Sequence, residues 1–148
     1  MQSCLANTYA KLGRPEALLM KRDVYTGRLK LDGEEHIETF RAAYNYVVTL
    51  LDLQRFGKAK ALLRKTTPVA RRVLGQNHEL VLEMRWSYGV ALYDDDGATL
   101  DDLREAVMTL EELKRTARRV LGGAHPLTEG IEDELQDARA ALYARGLP

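Results

Sequence analysis

Three copies of one short motif divide this chain at a nearly constant interval. Gly33-Glu34-Glu35-His36, Gly75-Gln76-Asn77-His78 and Gly122-Gly123-Ala124-His125 each place a glycine three residues before a histidine. An alanine lies 19 residues before each histidine, at Ala17, Ala59 and Ala106, and the histidines are 42 and then 47 residues apart. A period in this range means stacked copies of one supersecondary unit. Each copy in such a stack contacts only its neighbours, and the stack presents an extended binding surface.

Between the markers the apolar residues recur at helical spacing, not in alternation. Tyr44, Val47, Val48 and Leu51 share one stripe, as do Ala59, Leu62 and Leu63, and later Leu103, Val107, Leu110 and Leu113. Pro15 and Pro126 stand where helices should start, a position that tolerates the missing N–H. Gly33, Gly75 and Gly122 stand where helices should stop, because a glycine just past a helix adopts the left-handed conformation at little cost. The spacing predicts about seven helices, over 2–12, 15–30, 36–53, 56–74, 79–94, 100–121 and 127–145. Paired, they form antiparallel hairpins: an A helix follows each histidine, and a B helix carries each marker alanine. The small residues Ala17, Ala59 and Ala106 are expected to stack against the larger Tyr9, Leu50 and Leu92.

Two features interrupt the pattern. Leu92-Tyr93-Asp94-Asp95-Asp96-Gly97-Ala98-Thr99-Leu100 carries five extra residues, which accounts for the longer second interval and should widen the turn there. Pro68 falls inside the second B helix, where the lost N–H should kink it.

In its full pattern the repeat resembles the tetratricopeptide repeat, specifically the 42-residue subtype found in kinesin light chains. Val120-Leu121-Gly122-Gly123-Ala124-His125-Pro126-Leu127-Thr128 is nearly that subtype's whole signature. Val73-Leu74-Gly75-Gln76-Asn77-His78 keeps its first half, with Val81 in place of the threonine. Leu31-Asp32-Gly33-Glu34-Glu35-His36 is looser but regains Thr39. The segment from Cys4 to Ala17 resembles the end of an A helix and the turn into B. The resemblance implies an all-α, right-handed α-solenoid of about three and a half hairpins, in which residues 1–148 form a single array that is part of a longer array or protein. It also implies that A helices line a concave groove that takes peptides. The family often has an asparagine nine residues after the histidine, facing that groove. Asn45 matches, while Ser87 and Glu134 occupy the slot in the next two copies. One turn earlier on the same face lie Arg41 and Glu83. Arg41, Asn45, Glu83 and Ser87 are therefore the candidate groove residues. In the last A helix, Gln136 and Arg139 replace the family's packing residues and would suit a polar terminal face.

Other chemistries find little support. Lys+Arg and Asp+Glu both number 22, so the net charge is zero, which is not the footprint of a general nucleic-acid binder. Histidines in equivalent slots of adjacent repeats are separated by at least a helix-packing distance, roughly 8–10 Å. Zinc ligands sit at about 2 Å, so these histidines read as turn and helix-start residues and no metal is expected. Asp94-Asp95-Asp96-Gly97 fails as a calcium loop, because with Gly97 at position 6 the first and twelfth positions are Leu92 and Leu103. Thr99 and Asp102 instead suit a capping box. Arg64-Lys65, Arg71-Arg72, Lys114-Arg115 and Arg118-Arg119 fit charges that complement the negative ends of B helices. Trp86, Tyr44, Tyr46 and Tyr88 read mostly as packing residues. No phosphate-binding loop or catalytic arrangement is visible, so no cofactor and no enzymatic activity are expected. The one cysteine, Cys4, favours a reducing, intracellular and cytoplasmic setting, and no apolar run is long enough to span a membrane.

The function that follows is a protein-interaction module, a scaffold or adaptor holding a peptide or protein segment in its groove. The alternatives are a structural subunit or assembly factor buried in a larger complex and, with less support, a helical-repeat RNA binder.

Overall fold

A computed structural model describes residues 15–146. Six helices follow one another: α1 (Pro15–Asp32), α2 (Ile37–Asp52), α3 (Phe56–Leu74), α4 (Glu79–Tyr93), α5 (Leu100–Leu121) and α6 (Pro126–Ala144). The architecture is all-α, as the spacing predicts, and each predicted boundary in this range falls within two residues of the observed one. The expected helix over 2–12, with Tyr9, lies outside the described residues.

The motif marks every A-helix start by the same device. His36, His78 and His125 are N-caps, and the backbone N–H two residues on donates to each Nδ1: Glu38 at 3.1 Å, Leu80 at 3.1 Å and Leu127 at 3.0 Å. The imidazole thus satisfies one of the four N–H groups a helix leaves without an internal partner. Accepting at Nδ1 assigns the ring proton to Nε2. Where a B helix ends, Gly75 and Gly122 donate back to Arg71 and Arg118 carbonyls at 2.9 and 3.0 Å. Their φ values of 91° and 89° are positive as expected, but ψ values of 154° and 157° put them in the mirror-extended region, not the left-handed helical one. Glycine is needed all the more there, because that region is essentially closed to other residues.

The chain divides into two compact units, Met1–Gly75 and Gln76–Pro148. In the first, α2 packs against both α1 and α3. Ala17, Phe40, Val47, Leu50, Ala59 and Leu63 are buried there, and Tyr25 stacks at 6.3 Å on Tyr46. In the second, α4, α5 and α6 all touch one another. Leu82, Leu92, Ala106, Leu110, Ile131 and Leu135 form its core, with Trp86 and Tyr88 packed on the edge. Of the expected small-on-large pairs, Ala106 and Leu92 share one core cluster, and Ala59 and Leu50 are both buried.

Helix α3 continues through Pro68, which stands inside it. Pro68 lies on the exposed side of the helix. The five-residue insertion does widen the α4–α5 turn, and it is ordered by its own side chains. Gly97 N–H donates to Asp95 Oδ1 at 2.9 Å. Thr99 Oγ1 and the Asp102 N–H pair at 3.1 Å while Asp102 Oδ2 takes the Thr99 N–H at 3.0 Å, completing the capping box. Arg145, just past α6, donates to the Ala98 carbonyl at 2.5 Å and ties the insertion to the far end of the unit.

Candidate functional site

The histidine cap fixes which faces of the A helices can serve a ligand. Counting from each histidine, the fifth residue is Arg41 on α2, Glu83 on α4 and Gly130 on α6, and the ninth is Asn45, Ser87 and Glu134. These two slots are one turn apart, so each pair shares a face.

On α2 the pair is accessible. Arg41 is exposed and its guanidinium sits 3.5 Å from Glu38 Oε1, one turn back. An exposed pair of this kind contributes little and exchanges readily with a ligand carboxylate. Asn45 is half-buried. Together they offer a cation and an amide that can both donate and accept.

On α4 the same slots are built differently. Ser87 is buried, and Glu83 is half-buried, with its carboxyl held above the usual range by desolvation and then by Glu79. On α6 Glu134 is likewise raised by desolvation and then by Asp137, and the Tyr93 hydroxyl donates to it. Gly130 fills the fifth slot because the Trp86 ring lies on it: a Cβ there would be 2.6 Å from Trp86 Cη2. The second unit therefore presents two half-buried carboxyls, where the first presents Arg41 and Asn45.

Three arrangements escape sequence reasoning. Arg85, buried between the α4 slots, reaches Glu112 at 3.7 Å; no motif marks it, and the equivalent position in α2 is Ala43. Arg72 pairs with Glu35 at 2.5 Å, and Arg119 donates to Asn77 Oδ1 at 3.3 Å. Both arginines close the last turn of a B helix onto the loop that starts the A helix of the same hairpin. The helix-dipole role expected for the basic stretches is compatible with this, since both lie in last turns, but their side chains also have specific acceptors. Arg118 similarly meets Glu132 at 2.8 Å. At the last helix, Gln136 and Arg139 are exposed, and Arg139 pairs with Glu111 at 3.0 Å.

Among the described residues no group of three or more metal-ligating side chains comes together, and no helix is long and apolar enough to cross a membrane. No curated protein matches the chain. Residues 40–79, which span α2, α3 and the next histidine cap, match the tetratricopeptide repeat family. The same cap, stop and buried alanine recur outside that segment at His125, Gly122 and Ala106, so the frame of the matched tetratricopeptide repeat is found in both units.

Proposed function

We propose that this protein holds a partner protein or peptide rather than transforming a substrate, and that the contact runs along the accessible faces of its A helices. Tetratricopeptide repeats are protein-interaction scaffolds. The observation that carries the finer reading is the Arg41–Asn45 edge of α2, which lies inside the matched segment and is open to solvent. An extended segment can be gripped there by amide hydrogen bonds from Asn45 and a carboxylate contact to Arg41. On α4 and α6, Glu83 and Glu134 favour a basic or neutral stretch, with Ser87 supporting the helix from inside.

The test is quantitative capture of partners by the whole chain and by an Arg41→Ala/Asn45→Ala variant. Arg41 is exposed and Asn45 only half-buried, so the variant should melt close to the wild type. A partner lost in the variant supports the reading. A partner held equally by both counts against the α2 edge. It would favour a second reading, a structural subunit buried in a larger assembly, for which the exposed Leu31, Met108 and Tyr143 speak.

A further inference from the structure

The two units carry opposite charge. Residues 1–75 hold fourteen Lys and Arg against seven Asp and Glu, and residues 76–148 hold eight against fifteen. The chain's zero net charge is thus the cancellation of +7 by −7.

Helix α3 carries six of the fourteen basic residues, while α5, which shares its register, has five acidic and five basic residues, with the acidic ones toward its first half. Aligned on the buried Ala59 and Ala106, Lys58 corresponds to Glu105, Ala61 to Met108 and Lys65 to Glu112. All six are exposed, and Leu63 and Leu110 are buried in step. Helix α3 has no acidic residue. A pocket of about 300 Å³ opens between α2 and α3, with Tyr46, Leu50, Ala61 and Leu62 as its walls and Lys58 and Lys65 at its rim. Neither lysine makes an ion pair or hydrogen bond among the described residues.

On α5 the same register is a projection. Met108 stands 70% exposed. Glu105 accepts from the Tyr88 hydroxyl at 2.7 Å, and Glu112 is anchored by Arg85 with its own side chain 63% exposed. Both carboxylates are thereby held beside Met108. Arg104 flanks them, occupied at 3.6 Å by Asp101.

We propose that α5 of one copy docks on the α2–α3 pocket of a second copy. Met108, a flexible side chain suited to irregular apolar space, enters the room left where Ala61 replaces it. Glu105 and Glu112 meet Lys58 and Lys65, at the same three-then-four spacing on both helices. The contact joins different surfaces, so it propagates head to tail unless the rotation closes a ring. It uses α5, α3 and the Tyr46–Leu50 side of α2 but neither Arg41 nor Asn45, so it does not rest on the proposed function. A second copy is favoured over an unrelated acidic partner because the chain carries its own complement in register.

Sedimentation of the full chain over a concentration series tests this. The expected result is a mass that rises with concentration at about 50 mM salt, with affinity falling about tenfold or more by about 0.5 M as the rim charges are screened. Met108→Lys, a change at a side chain 70% exposed in its own fold, should abolish the rise. Lys58→Glu/Lys65→Glu should abolish it too, and mixing that variant with Glu105→Lys/Glu112→Lys should restore mixed assemblies. If the second charge reversal fails to fold, Met108→Lys alone still decides. Arg41→Ala/Asn45→Ala should associate as wild type. A wild-type chain monomeric at every concentration at low salt overturns the proposal, as does association that survives both Met108→Lys and Lys58→Glu/Lys65→Glu. Low-salt monomers that bind RNA through α3 would likewise overturn it, in favour of a nucleic-acid partner.

Discussion

Nine residues after its histidine, α2 carries Asn45 at a partly open surface. At the same count α4 carries Ser87 in its core and α6 carries Glu134 under the Tyr93 hydroxyl. The frame is common to both units: the same cap, the same stop, and the same buried alanine and leucine on α3 and α5. What differs is how closely the helices approach and which charges occupy the faces. In the second unit two glycines are contact points. A Cβ on Gly89 would stand 2.9 Å from Leu110 Cδ2, and one on Gly130 would stand 2.6 Å from the Trp86 ring. In the first unit the helical glycine Gly27 faces open space, with nothing within 4 Å of a built Cβ. A repeat frame therefore fixes where helices begin and end while leaving the closeness of their faces to single residues.

The sharpest way to break this comparison is to add one methyl group in each unit. Gly130→Ala and Gly89→Ala should destabilise by about 1–3 kcal/mol, because neither the indole nor Leu110 can retreat from a packed core without strain. Gly27→Ala should move stability the other way by about 0.5–1 kcal/mol, since alanine restricts the unfolded chain and favours the helix. Denaturant titration of the three variants reads both signs. Equal effects in all three would mean that the second unit is not packed more closely at its glycines.

How much of this was open to sequence reasoning follows from the same contrast. Helix boundaries were legible because they are local: a histidine cap, a glycine stop and apolar residues every three or four positions are all written within one turn of the boundary. The capping box at Thr99 and Asp102 was legible for the same reason. Ser87 and Arg85 were not, since their burial depends on which neighbouring helix covers α4. The tie from Arg145 to the Ala98 carbonyl spans 47 residues and has no motif. Charge was hidden by totals, because 22 basic and 22 acidic residues give zero however they are distributed. Of the candidate site, the α2 edge was legible as a face. The half-burial of Glu83 and Glu134 in the α4 and α6 slots needed the structure.

The histidine caps should behave alike in both units. His36→Ala, His78→Ala and His125→Ala each remove a bond at 3.0–3.1 Å and leave an N–H of the first turn without its cap. Each should cost about 0.5–2 kcal/mol, the range for loss of a capping side chain. Replacement by Asn or Asp, whose oxygens reach the same N–H groups, should recover most of it. Thermal melts of the three alanine variants that differ from one another by more than this range would show that the caps do not contribute equally.

The finest distinction lies in pH. Glu83 and Glu134 hold their protons above the ordinary glutamate value of 4.5, chiefly because burial disfavours their charged forms. The folded chain then binds more protons than the unfolded chain between that value and the raised one, so stability falls as pH rises through this window and stays lowered above it. Glu83→Gln and Glu134→Gln remove the titration while keeping the size of the side chain, and a glutamine oxygen can still accept from Tyr93. Both variants should melt above the wild type at neutral pH, with the gap closing as pH drops below 4.5. The corresponding slots of the first unit, Arg41 and Asn45, hold no carboxyl, so Arg41→Gln should leave the acid side of the profile unchanged. A gap for Glu83→Gln that stays constant down to acid pH would place its origin in packing and remove the reason for treating the second unit's slots as desolvated carboxyls.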